Sequence, residues 1–295
     1  MTREPKPLLA AGKSKDHGHL TAGLYVLATP IGNAADISLR ALDVLKAASV
    51  IAAEDTRVTA KLLTIHGIQK PLIPYNDHNG PRMRPKILAR LAQGEAVVLV
   101  SDAGTPLVSD PGYKLVREVI SAGLPVVAIP GASAVLTALA LSGLPSDRFL
   151  FAGFLPAKAC ERQRALEDFK DLSATLIFFE SAQRLSETLQ AMTEALGDRP
   201  AVVARELTKL HEEVRRGRLS ELAAHYQKAG APKGEVTLLV GPPGEATTDM
   251  AKVDAALKAA LDFMPVKAAA EMLAELTGVS RKQLYARALE LKSSN

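Results

Sequence analysis

The segment Ala96-Val97-Val98-Leu99-Val100-Ser101-Asp102-Ala103-Gly104-Thr105-Pro106 decides the fold. Its first five residues are continuously apolar, which suits a strand buried on both faces of a parallel sheet. The following residues are polar and turn-forming, as expected where such a strand ends at a ligand-bearing edge. The same design recurs along the chain. Leu24–Ala28 runs into Thr29-Pro30-Ile31-Gly32-Asn33, and Val50–Ala53 into Glu54-Asp55-Thr56-Arg57. Pro125–Ile129 runs into Pro130-Gly131-Ala132-Ser133. Between these strands Ile37, Ala41, Leu45 and Ala48 recur at helical spacing, as do Ile87, Leu88 and Leu91, and then Leu115, Val116 and Val119. Gly94, Gly123 and Gly143 stand where those helices should stop. The β-α-β-α series predicts an open, parallel-sheet α/β domain over residues 23–145.

After Gly143-Leu144-Pro145-Ser146-Asp147 the texture changes. Further strands are expected at Arg148–Phe151, Thr175–Phe179, Ala201–Arg205 and Val236–Val240, with more charged helices at Ala165–Leu172, Gln183–Leu196 and Leu219–Ala229. They outline a second α+β domain over 146–243. A helical appendix follows at 250–295, with a helical pair at Pro265–Leu276 and Arg281–Leu291 around Gly278-Val279-Ser280. Ser280 can cap the second of these helices. The pair resembles a helix-turn-helix, with packing on the body as its alternative use. Residues 1–22 lack periodicity and read as a disordered tail.

The chain has 295 residues, 47% of them apolar, so global disorder is excluded. Lys and Arg exceed Asp and Glu by 36 to 32, a balance of +4 that permits a nucleic-acid partner without requiring one. The single cysteine, Cys160, excludes an internal disulfide and suits a reducing, cytoplasmic compartment. There is no Trp and aromatics make up 4%, which argues against RNA binding on aromatic platforms. No apolar run reaches the ~18 residues of a membrane span, and Leu8–Ala11 is too short for a signal-peptide core. The six histidines show no metal-binding helix motif, so neither membrane nor metal is expected.

The four strand-end loops should meet on one edge. Taken singly, each could be ordinary turn chemistry; together their charged residues exceed it. There is no GxxxxGK[ST] and no GxGxxG after the first strand, which argues against P-loop and ordinary dinucleotide sites. A carboxylate-rich edge without a phosphate cradle suits a cationic, phosphate-free cofactor, and S-adenosylmethionine fits that description.

Together these motifs resemble the tetrapyrrole methylase superfamily, in its small-subunit ribosomal RNA methyltransferase branch. The resemblance rests on LYVLATPIGNAADISLRALDVLKAASVIAAEDTR (24–57), VLVSDAGTPLVSDPGYKLV (98–116), GLPSDRFLFAGFLPAK (143–158), TLIFFES (175–181), ARELTK (204–209) and KGEVTLLV (233–240). It covers about residues 23 to 292, with a departure at Pro130-Gly131-Ala132-Ser133 from the Pro-Gly-Pro pattern of some relatives. It implies a two-domain fold with S-adenosylmethionine in the cleft between domains, and 2′-O-methylation of a cytidine ribose in the decoding region of 16S ribosomal RNA. A homodimer is also implied. Two alternatives stay open: a corrinoid or porphyrinoid C-methyltransferase of the same superfamily, and a non-enzymatic ribosome-assembly factor.

By that resemblance Pro30 and Gly32 turn tightly against the cofactor, and Asp102, Ala103, Gly104 and Thr105 form its main binding loop. Ser133 and Ala134 open a helix whose amides could hold a carboxylate. Phe179 and Leu207 match positions on the adenine side, unless they are plain core, and Glu235 brings backbone near the adenine. Methyl transfer to a weakly acidic hydroxyl is helped by a base or cation. Glu54, Asp55, Arg57, Glu180, Arg205, Glu206 and Lys209 all stand at strand ends. Among them Glu180 or Glu206 is taken as base and Arg57 as substrate anchor. RNA contacts are expected from Arg82 and Arg84, from Lys158, Arg162 and Arg164, from the loop group Arg215, Arg216 and Arg218, and from Arg281 and Lys282 in the appendix.

Overall fold

The structure is a computed structural model that describes residues 20–244 and 250–293. Most of the tail expected at 1–22 lies outside the described residues. The chain divides at Pro242/Pro243 into two compact units.

The first unit holds two sheets. Strands β1 (Gly23–Leu27), β2 (Val50–Ala53), β3 (Leu72–Pro74), β4 (Ala96–Val100) and β5 (Val126–Ile129) form the first, in the order β3-β2-β4-β1-β5. All its pairings are parallel. Every residue of β2 and β4 is buried, which is why those runs are continuously apolar rather than alternating. Helices α1 (Leu39–Ala47) and α2 (Thr56–Ile65) cover one face, where Val44, Leu45 and Leu63 meet Leu27, Ile51 and Val98. Helices α3 (Gly80–Ala92) and α4 (Tyr113–Ser121) cover the other, where Ile87, Leu115 and Val119 meet Leu24, Val97 and Leu99. The sheet order turns back at β4 and β1, and the carboxyl ends of such neighbours open a crevice.

Helix α5 (Ala134–Ser142) follows β5 and ends on Gly143 in the left-handed conformation. Its Val135, Ala138 and Leu139 pack on Ile177, Val202 and Leu239 of the second sheet. A helix of the first half thus covers a face of the second. That sheet runs β6 (Phe149–Phe154), β7 (Thr175–Ser181), β10 (Glu235–Val240), β8 (Pro200–Arg205), β9 (Glu213–Arg218). Strands β6 and β7 are parallel and the other pairs antiparallel. Helices α6 (Ala159–Glu167), α7 (Leu185–Leu196) and α8 (Leu219–Ala229) build the core on its other face around Phe178, Leu189 and Leu222.

The second unit contains α9 (Met250–Leu261), α10 (Val266–Thr277) and α11 (Arg281–Ser293). They enclose a core of their own, including Leu257, Leu273 and Leu284. Gly278 ends α10 with φ 69°, and Ser280 Oγ accepts the Gln283 N–H at 3.3 Å as the cap of α11.

Several expectations need correction. Strand β3 was not predicted; it is a three-residue edge strand, two residues half-buried and the third, Pro74, exposed, too short to show a pattern. Helix α2 was also missed, because it begins inside the EDTR motif, with Asp55 as its cap. Helix α6 spans Ala159–Glu167 rather than Ala165–Leu172. The expected basic loop holding Arg215, Arg216 and Arg218 is the edge strand β9.

Candidate active site

The four strand-end loops are tied to one another. Thr29 and Gly104 exchange both backbone hydrogen bonds, at 2.8 and 3.0 Å, joining the loops after β1 and β4. The Asp55 N–H donates to Asp102 Oδ1 at 2.9 Å, and the Asp102 N–H donates to Glu54 Oε2 at 3.3 Å. These bonds lock the loops after β2 and β4. Thr105 Oγ1 donates to the Ala132 carbonyl at 3.2 Å, adding the loop after β5. Gly104 sits at φ 79°, and a Cβ there would come within 3.3 Å of Ile31 Cγ2, so only glycine lets these loops close up without strain.

Between the ends of the first sheet and the face of the second lies a cleft of about 500 Å³. Asp102, Ala103, Gly104 and Thr105 line it from one side, Ser133 and Ala134 from the start of α5, and Phe179, Glu180, Leu207 and Glu235 from the second sheet. Ser133 Oγ caps α5 by accepting the Leu136 N–H. Phe179 is half-buried, packed edge-on against Phe151 at 4.8 Å between ring centroids. Pro30 and Gly32 border a smaller adjoining hollow instead. Gly32 also marks a close approach of the two halves: a Cβ on it would stand 2.4 Å from Lys209 Cγ and 3.0 Å from the Leu207 carbonyl.

The charged residues lining the cleft, among those described, are all carboxylates: Glu54, Asp102, Asp110, Glu180 and Glu235. Burial raises Glu54 above its ordinary 4.5; the Asp102 N–H opposes this, and Asp110 and Asp102 add repulsion. Burial likewise raises Asp110 and Asp102. Asp110 was missed in the sequence. Its setting, Ser109-Asp110-Pro111-Gly112, reads as a turn, and only the fold swings it back into the cleft.

The residues expected to act as base or anchor have other partners. Glu180 is 3% exposed. Its Oε1 accepts the Ser181 N–H, and its Oε2 accepts Thr188 Oγ1 at 2.6 Å and Arg184 Nη2 at 3.1 Å. Glu206 does not line the cleft. Its Oε1 accepts Lys209 Nζ at 2.9 Å and the Glu235 N–H at 3.0 Å, and these bonds hold it below the ordinary carboxylate value. Lys209 also bonds Glu235 at 2.9 Å; burial pulls its ammonium down, but the two carboxylates outweigh that and leave it raised. Glu206 and Thr208 occupy positive φ, 50° and 64°, in the turn that carries this network. Arg57 lies along Asp55, with Nε 3.0 Å from Oδ1, and its hydrogen bonds bring Asp55 down to about 2. Arg57 is otherwise exposed.

The basic candidates divide. Arg82, Lys158, Arg164 and Lys282 are exposed, Lys158 with Glu161 3.0 Å away. Arg84 is drawn in against Glu118, at 2.6 Å. Arg162 is buried on the same side of α6 as Leu166, with Glu187 3.6 Å away, and presents little surface to an RNA. Arg281 pairs with Glu271. On β9, Arg215 pairs with Glu213 and Arg218 with Asp198, while Arg216 caps the carbonyl end of α5 through the Ser142 oxygen at 3.2 Å. Among the described residues no group of three or more His, Cys, Asp or Glu is placed to hold a metal ion, and no helix is long and apolar enough to cross a membrane.

Comparison with known proteins agrees with this architecture. The family model for Tetrapyrrole (Corrin/Porphyrin) Methylases matches residues 23–223, and that for the RsmI C-terminal HTH domain matches 247–292. The chain is 52% identical to the ribosomal RNA small subunit methyltransferase I of Mesorhizobium japonicum, over 94% of each chain. It is 54% identical to the protein of that name from Erythrobacter litoralis, over 93% of this chain and 97% of the relative. Among solved structures it resembles the uroporphyrin-III C-methyltransferase of Thermus thermophilus complexed with S-adenosyl homocysteine. That match has a TM-score of 0.52 and 21% identity, over 74% of this chain and 96% of the other. With a family model spanning most of its length and relatives above half identity along nearly all of it, this chain belongs to the tetrapyrrole methylase family, in the group of the ribosomal RNA small subunit methyltransferases I.

Proposed function

We propose that this protein is an S-adenosylmethionine-dependent methyltransferase acting on the ribose 2′-hydroxyl of a decoding-region cytidine in 16S ribosomal RNA. The observation that carries the reading is the cleft: four loops bound to one another, charged lining groups that are all carboxylates, and no basic residue among those described to cradle a phosphate. The names of the relatives supply the RNA substrate class.

The residues present fit the cofactor. Glu54 and Asp110, both half-buried, favour a positive sulfonium where charge interactions exceed those in water, and the more exposed Asp102 adds to them. The amides opening α5 at Ser133 and Ala134 suit a carboxylate. Phe179, Leu207 and the backbone at Glu235 offer an apolar seat for an adenine. When bound, S-adenosylmethionine supplies an electrophilic methyl group, whose bond to sulfur breaks with the electron pair left on sulfur as the new bond to the ribose oxygen forms. The chain's own part is to orient the two partners, hold charge near the sulfonium and take the hydroxyl proton. Glu54 is the group we assign to that proton, since burial makes it a stronger base than the tethered Glu206, and unlike Glu206 it faces the cleft. The reading includes a cytoplasmic location and a homodimer, both from family resemblance.

The test is transfer of tritium from labelled S-adenosylmethionine to small ribosomal subunits that lack the modification, beside a porphyrinoid acceptor. Mapping 2′-O-methyl sites in ribosomal RNA from a deletion strain then identifies the nucleotide. Label appearing in the porphyrinoid and not in RNA would transfer the assignment to the C-methyltransferase alternative. Cofactor binding with no transfer to either would favour an assembly factor.

A further inference from the structure

Beside the cleft lies the second hollow, of about 270 Å³. Ile31, Asp102, Ala103 and Glu235 line both cavities, so the two share a wall. The far side of the hollow is apolar. Pro30 comes from the loop after β1, and Val58, Leu62 and Ile65 come from α2. Val58 and Ile65 are 40% and 65% exposed although they are large and apolar. They occupy a helix whose buried residues, Thr59 and Leu63, lie on another side.

We infer that this hollow receives the nucleoside to be methylated, with its base laid against the α2 wall. The inference rests on the proposed RNA methyltransferase reading and adds where the acceptor binds. In a direct displacement the acceptor oxygen must reach the methyl group, so its site must border the cofactor's. Of the two cavities described, only this one does so without being the cofactor cleft. Its size also selects. A volume just under the ~300–1,000 Å³ of drug-sized ligand sites suits one nucleoside and is too small for a tetrapyrrole macrocycle. An apolar wall is what an unstacked base requires once it leaves its neighbours, and enzymes acting within folded nucleic acid draw the target nucleotide out in this way. None of the described residues lining the hollow is aromatic, so exposed aliphatic side chains take the place of a stacking platform.

The experiment fills the hollow. Val58→Phe puts a larger side chain on an exposed helical position, where it adds no strain to the core. Melting temperature and S-adenosylmethionine affinity by calorimetry should match the wild type. Methyl transfer to unmodified small ribosomal subunits should fall about tenfold or more in kcat/KM, the usual weight of blocking one apolar subsite. Ile65→Ser, which strips the rim instead, should raise the KM for subunits and leave cofactor affinity unchanged. Unaltered transfer by both variants overturns the inference. So does a parallel loss of cofactor affinity, which would make the hollow part of the cofactor site, or a change in oligomeric state by light scattering, which would make it an interface between copies. A wild-type enzyme that transfers nothing to subunits refutes the RNA reading itself and the nucleoside with it. An active wild type with equally active variants refutes only the hollow.

Discussion

Glu54 Oε2 accepts the Asp102 N–H at 3.3 Å, while the Asp102 carboxylate accepts the N–H of Asp55, the neighbour of Glu54, at 2.9 Å. The loops after β2 and β4 are thus held by reciprocal bonds through two carboxylates that both face the cleft. A functional cost follows from that position. Burial raises Glu54, so the folded chain holds this proton more readily than the unfolded chain. A raised carboxyl value means that Glu54's contribution to stability is present below its ordinary 4.5 and is lost as pH rises through the folded value. Glu54→Gln should therefore melt higher than wild type at about pH 7–8, by about 1–3 °C, with the gap closing toward about pH 4. Melts across that range check it; a variant less stable at neutral pH contradicts it.

The same carboxylates should sense the charge of the cofactor. Asp110→Asn removes a negative charge without changing shape. S-adenosylmethionine should bind about 3–10-fold more weakly, and its neutral thioether product about as before. Calorimetric titration with each ligand decides the matter. Equal losses on both would mean that Asp110 shapes the cleft and does not act through charge.

Glu180 should prove structural. Removing it leaves the buried Thr188 and the half-buried Arg184 guanidinium without their acceptor. Glu180→Ala should cost about 3–5 kcal/mol of folding stability. Urea unfolding measures this. A variant that kept wild-type stability while losing kcat would restore Glu180 as a proton acceptor.

Gly32 should resist substitution for a steric reason. Its missing Cβ leaves room for Lys209 and the Leu207 carbonyl. Gly32→Ala should destabilise by about 1–3 kcal/mol, the usual cost of overpacking. Cofactor affinity should fall with it, since the same contact sets the spacing of the cleft walls. Denaturant melts beside calorimetry would show both changes; full stability with full affinity would mean the halves yield easily here.

In the appendix, charge pairing separates two basic residues that look alike in sequence. Arg287 is held by Asp254 at 2.6 Å and by Glu290 at 2.9 Å, whereas Lys282 is exposed. If the appendix meets RNA, Lys282→Ala should lower affinity and flatten the log–log salt slope by about one unit. Arg287→Ala should instead lower the melting temperature of the appendix with little change in slope. A chain ending at residue 244 should keep its cofactor affinity, because the core of the appendix is its own. Loss of cofactor binding in that truncated chain would show that the body depends on the appendix.

Sequence alone determined the architecture of this protein. Short continuous apolar runs suit strands covered on both faces, and here each run ends in turn-forming residues. The parallel sheet, the second domain, the helical pair and most of the cleft-lining loop residues were legible for that reason, and the motifs identified the family. Elements at an edge, such as β3, or with charge along their length, such as β9, were not legible, because little of their surface is buried. Tertiary structure alone decided what each charged residue does. Glu180, Glu206 and Arg162 look like solvent-facing functional groups in the sequence, yet their partners Thr188, Lys209 and Glu187 bind them into the framework. Asp110 looks like turn chemistry and stands in the cleft. A strand's burial is encoded in its own residues, but the charge state and freedom of a carboxylate depend on neighbours that only the folded chain brings within about 3 Å.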